Sequence, residues 1–116
     1  MHEAAAREFY AAIDEGDYDR LATLLTPAFV HERPDRTLSG RDTFVSFMRD
    51  DRPLTETSHE ISAVYAGESE VAVRGTLRSA TGESLLKFVD VHELSDDRIE
   101  RITTYTTQTA AQLTES

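Results

Sequence analysis

Few side chains in this sequence can move a proton near neutral pH. Asp90, in "FVDVHEL", shares one strand face with Leu86, Phe88 and Leu94, company that disfavours a charged carboxylate and raises its pKa. His31 and His59 titrate near neutrality and could shuttle a proton beside such an acid. His92 follows two residues after Asp90, close to the expected strand end, where a solvated ring is the expectation. The segment "FVHERPDRT", Phe29 to Thr37, brings His31, Glu32 and Arg33 together in one run. Strand alternation puts His31 and Arg33 on one face and Glu32 on the other. Phe29 and Val30 are both apolar and leave open which face looks inward. Inward His31 and Arg33 would make an anion-holding pocket, with Arg33 gripping a carboxylate or enolate; inward Glu32 would supply a base. Arg33 itself cannot abstract a proton.

Other chemistries lack their parts. With no cysteine, disulfides, thiolate nucleophiles and cysteine zinc sites are excluded together. No HExxH-type ligand pair points to a metal, no nucleophile elbow to a serine hydrolase, and the five glycines are too scattered to cradle a phosphate. Neither metal nor organic cofactor is expected. Twelve basic against 22 acidic residues give a net charge of −10, with Lys87 the only lysine. Such a surface repels phosphate backbones and anionic lipid, so neither nucleic acid nor membrane is an expected partner. It fits a protein kept soluble in high salt, or an ordinary acidic cytosolic protein. The apolar runs are too short to span a bilayer, and "MHEAAAREF" is charged where a signal peptide would be apolar, so a cytoplasmic location is expected.

The elements that must position these residues are legible from periodicity. The 116 residues fit one domain. Glu3 to Glu15 reads as an amphipathic helix with Ala5, Phe9, Ala12 and Ile13 on its buried face and Gly16 as its stop. Asp17 can cap a second helix that buries Leu21, Leu24 and Leu25 before Pro27 ends it. "VHER" reads as a short strand, since Pro34 biases Arg33 away from helix, and "PDRTLSG" as a loop. "SGRD" has capping-box spacing, opening a third helix that carries Phe44, Phe47 and Met48 to about Asp51. Four antiparallel strands follow, at Thr57 to Ala66, Glu70 to Ser79, Ser84 to Leu94 and Arg98 to Thr107, separated by "AGES", "ATGE" and "SDDR". The third is apolar on both faces, so a second covered face is expected, supplied by a homodimer packed through sheets. The closing "QLTES" reads as a loose tail. Helices followed by an antiparallel meander make an α+β architecture.

The order of elements, with "FYAAIDEGDYDRLATLL", "LSGRDTFVSFM" and "FVDVHELSDDRIERITTYT", resembles the superfamily of nuclear transport factor 2, ketosteroid isomerase and SnoaL-type polyketide cyclases over nearly the whole chain. The resemblance implies a cone-shaped fold, a curved sheet around a pocket roofed by the first and third helices, usually dimeric. It implies a small, apolar or carbonyl-containing ligand. The isomerases hold one pocket carboxylic acid protonated so that it donates to an enolate oxygen, and Asp90 matches that acid. Their first-helix tyrosine falls on Phe9 here, with Tyr10 one step, about 100°, round the helix and read as packing or pocket rim. Their aspartate base falls on Arg33. The cyclase branch pairs a pocket acid with a nearby histidine and needs neither metal nor cofactor.

Asp90, His31 and Glu32 are therefore the candidate catalytic residues. Arg33, Tyr10, His59, Phe9, Phe88, Phe47 and Tyr105 are candidate ligand contacts. A cofactor-independent isomerase, cyclase or dehydratase and a non-catalytic binding module both remain compatible with the sequence.

Overall fold

A computed structural model describes residues 2–52 and 56–107 of the chain. Helix α1, His2–Glu15, lays Ala6, Phe9, Tyr10 and Ile13 into the core at i, i+3, i+4, i+7 spacing. Tyr10 is thus central to the buried stripe, a correction to the stripe drawn through Ala5 and to a packing role at the rim. Gly16 takes φ +70° and closes the helix. Helix α2, Tyr18–Thr23, is capped as expected by the Asp17 carboxylate, which accepts from the Arg20 N–H at 3.2 Å.

Strand β1, Leu25–Glu32, begins earlier than the short "VHER" strand and contains Pro27, a residue expected to end the second helix; Leu25 accordingly lies in β1 and not in that helix. Pro27 is tolerated because the register with its neighbour shifts between Leu25 and Val30, an irregularity that relieves the missing N–H. A three-residue strand β2, Thr37–Ser39, interrupts the expected loop. Helix α3, Arg41–Ser46, starts from Gly40 at φ +97° with no side-chain cap, so the capping box does not form; Ser39 is committed to β2. A π-helical turn, Phe47–Asp51, continues it to the predicted end.

Strands β3, Ser58–Ala66, β4, Glu70–Arg78, β5, Ser84–Ser95, and β6, Arg98–Thr106, fall within a residue of their expected bounds. The β5–β6 turn places Asp96 and Asp97 at φ +51° and +66°, the primed-turn geometry that "SDDR" announces. The sheet runs β2-β1-β6-β5-β4-β3, antiparallel except for the β1–β6 pair. The fold is α+β, a curved, unclosed six-stranded sheet with its helices on the concave side. Asp90 and Val73 face inward as direct partners, as do His92 and Val71. The convex side carries Tyr65 and Tyr105, the two exposed large apolar side chains among the described residues. The tail "QLTES" lies outside the described residues.

Candidate functional site

The inward positions of α1, β1, β5 and β6 meet at one point. Tyr10 projects from the buried stripe of α1 between the rings of Phe9, Phe88, His59 and His92, with centroids 5.1 to 5.8 Å away. Its hydroxyl donates to Asp90 Oδ2 at 2.6 Å and lies 2.8 Å from His92 Nε2. Thr104 stands opposite Asp90 in the β5–β6 ladder and donates to Asp90 Oδ1 at 2.5 Å. His31 Nε2 lies 2.8 Å from the Thr104 hydroxyl.

With Asp90 ionised, proton counting assigns the two imidazoles. An ionised Asp90 can only accept, so both hydroxyls spend their single proton on it. Each hydroxyl oxygen then accepts from a ring N–H, which puts the proton of both His31 and His92 on Nε2. Their Nδ1 atoms are buried and, among the described residues, have no hydrogen-bond partner. Burial pushes both rings down to about 3, with the Arg33 charge adding to the effect on His31. They are neutral at physiological pH. Burial pushes Asp90 up, against the hydrogen bonds from Thr104 and Tyr10 and the charges of His59 and Arg33. Tyr10 is driven well above its ordinary value by burial and by the Asp90 charge, so it stays a donor.

Tyr10, His31, Asp90 and Thr104 form the floor of a cavity of about 630 Å³, with His92 buried behind Tyr10. Phe9, Ile13, Phe44, Met48, Leu86 and Phe88 give it apolar walls, and His59, Arg52, Arg33, Asp35 and Arg36 add charged or titratable groups to its lining. At the mouth, Asp35 binds Arg33 at 3.1 Å and Arg36 at 3.4 Å. Both guanidinium groups lie over the Phe47 ring, 5.7 and 4.9 Å from its centroid. On the far side, Asp14 grips His59 twice: Oδ2 accepts the backbone N–H at 3.0 Å and Oδ1 lies 2.7 Å from Nδ1. Among the described residues, no group of three or more His, Asp or Glu could hold a metal ion.

His31 and Arg33 face the cavity, while Glu32 turns to the other side, where it binds Arg101 at 2.8 Å and accepts from Thr103 at 3.3 Å. A base role for Glu32 is corrected on that ground. Phe47 is buried beneath the arginines and does not line the cavity, and Tyr105 points out from the convex face. His92 is wholly buried, because α1 covers the strand end that the sequence suggested was solvated. Thr104 and Asp14 were not singled out in the sequence. Alternation from the core residue Ile102 marks Thr104 as inward, and Asp14 lies one turn beyond Tyr10 on α1.

A family model described as a SnoaL-like domain matches residues 6–102. The chain belongs to that family. The SnoaL-like chain shares its fold, within the NTF2-like superfamily, with several solved structures. One is an NTF2-like protein of unknown function from Cytophaga hutchinsonii, with TM-score 0.79 at 12% identity, covering 91% of this chain and 89% of that one. A provisionally assigned ketosteroid isomerase from Kribbella flavida gives TM-score 0.82 at 21% identity, covering 93% and 78%. A provisionally assigned SnoaL-like polyketide cyclase from Jannaschia gives TM-score 0.78 at 13% identity, covering 91% and 85%. A search of curated protein sequences finds no match. Among the described residues, no helix of this SnoaL-like protein is long and apolar enough to cross a membrane.

Proposed function

We propose that this SnoaL-like protein binds a small, apolar carbonyl compound and moves a proton at the carbon beside the carbonyl, without metal or organic cofactor. The observation that carries this reading is the buried Tyr10–Asp90 contact on the floor of an apolar-walled cavity. Deprotonation beside a carbonyl places negative charge on its oxygen, and the barrier falls when prearranged donors meet that charge away from water. A neutral Asp90 can turn its O–H to that oxygen while still accepting from Thr104, and Tyr10 is the second donor. Burial favours the neutral acid this role requires. Arg33 at the mouth adds positive potential. The isomerase and cyclase assignments carried by structural neighbours support the same reaction class.

The test uses β-tetralone, an apolar bicyclic ketone, and β-naphthol, whose naphtholate resembles its enolate. Deuterium uptake by β-tetralone in D2O, followed by proton NMR, should exceed the buffer rate and fall about 10²- to 10³-fold in Asp90→Asn. No exchange above buffer rejects catalysis on this class of ketone. β-Naphthol binding without exchange would mark a binding module instead.

We also propose a second copy of the chain as the occupant of the convex sheet face. Two cross-strand rows there, Tyr65–Ala72–Val91–Thr103 and Ala63–Arg74–Val89–Tyr105, carry a tyrosine at opposite ends. A two-fold axis between the rows would exchange them, the self-complementarity a symmetric dimer needs. Sedimentation should give a dimer that Val91→Arg converts to monomer; a monomeric wild type rejects it.

A further inference from the structure

We propose that His59 is the base that takes the proton from carbon and that Asp14 is the residue that positions it. The inference rests on the acid–base reading of the same cavity and supplies the part that reading lacks. His31 and His92 have their Nε2 atoms committed to Thr104 and Tyr10, and their Nδ1 atoms are buried. Glu32 faces away, and Arg33 cannot accept a proton.

His59 is built differently. A carboxylate only accepts, so the 2.7 Å contact with Asp14 Oδ1 requires the ring proton on Nδ1. In the neutral ring Nε2 then carries the lone pair. The same carboxylate accepts the His59 backbone N–H through its other oxygen, fixing the ring at two points. His59 lines the cavity beside Tyr10 and Phe88, with ring centroids 5.1 and 5.8 Å away. Base and oxyanion donors therefore face one ligand volume from neighbouring walls.

The step balances. The proton on the carbon beside the carbonyl passes to His59 Nε2, and the C–H electron pair becomes the carbon–carbon π bond of the enolate. The carbonyl π pair moves to oxygen, where Asp90 and Tyr10 donate. The imidazolium keeps its Nδ1–H on Asp14, whose charge compensates it, and the proton returns to the same or another carbon of the enolate. The charged and titratable groups around the ring are Asp14 and Tyr10 on α1 and Asp90 on β5.

Long-range ¹H–¹⁵N correlation spectra of labelled protein test the placement directly, with the His59 signals assigned by their loss in His59→Gln. Neutral His59 should appear as the Nδ1–H tautomer in the wild type and shift toward Nε2–H in Asp14→Ala. His59→Gln should cut deuterium exchange of β-tetralone about 10²- to 10⁴-fold while β-naphthol binds within two-fold of wild type. Asp14→Ala should lower the exchange rate at least ten-fold with β-naphthol affinity retained. A wild-type Nε2–H tautomer, or exchange by His59→Gln at the wild-type rate, overturns the assignment of the base and leaves the acid–base reading standing. No exchange by the wild type overturns both.

Discussion

Thr104 and Asp90 face each other as direct partners in the β5–β6 ladder, and their side chains meet at 2.5 Å in the cavity floor. Sheet register alone creates this contact, so Asp90 is held by its own scaffold before any ligand arrives. The contact also ties the carboxyl to His31 on β1, three strands being joined through two hydrogen bonds.

Asp90→Asn should stabilise the protein at pH 8 while slowing the exchange reaction. The folded-state pKa of Asp90 is raised by burial, so between the ordinary carboxylate range and that raised value the folded state binds more protons than the unfolded one. Stability from this group is present at low pH and lost as pH rises through the folded value. The amide carries no such penalty. Thermal melts should place the variant above wild type at pH 8, with the gap closing toward pH 4; a gap that is constant with pH would refute the buried-charge account.

Tyr10→Phe keeps the ring packing and removes one hydroxyl. Asp90 Oδ2 and His92 Nε2 both lose their partner. Leaving buried polar atoms unpaired costs about 1–3 kcal/mol. Urea unfolding should show that loss, and fluorescence titration should show β-naphthol binding weakened about ten-fold.

His31 and His92 make the fold sensitive to acid. Their folded values near 3 lie below the ordinary 6.5, so the unfolded state binds more protons through that window. Stability rises with pH across it and is lost on acidification from about 6.5 toward 3. Each ring should withdraw about 2 kcal/mol by pH 5. Asp90 acts in the opposite direction. Urea midpoints for wild type and the His31→Gln, His92→Gln pair should converge as pH falls from 8 to 5; parallel curves would show that the rings titrate normally.

Gly75→Ala probes how the cavity wall is set. A Cβ there would come 2.5 Å from the Glu60 carbonyl oxygen and 2.8 Å from Phe88 Cζ. Backbone cannot yield, so the overpacking should cost about 1–3 kcal/mol. Displaced Phe88 should also weaken β-naphthol binding, measurable by the same titration.

The strands were legible because their alternation survives in every stretch from β3 to β6, and the helical face of α1 was legible to within one position. What sequence could not supply was the angle at which α1 docks on the sheet. That angle turns Tyr10 to Asp90 and covers His92, and it depends on the ring contacts among Phe9, Phe44 and His92 rather than on any local spacing. The inward face of β1 was undetermined for a similar reason, since Phe29 is buried against Phe44 while half-buried Val30 is equally apolar. Asp14 escaped notice because an acid near a helix end looks solvated until its partner strand is in place.

The hydroxyl of Tyr10 finds His92 82 positions later in the chain. During synthesis α1 therefore emerges with the Tyr10 hydroxyl bonded only to water. Its docking must wait for the last two strands, so the ribosome finishes most of the polypeptide before the cavity floor can close, and such distant pairing is slow to form. Any nascent fragment ending before β5 exposes the apolar face of α1 and is a natural client for a chaperone.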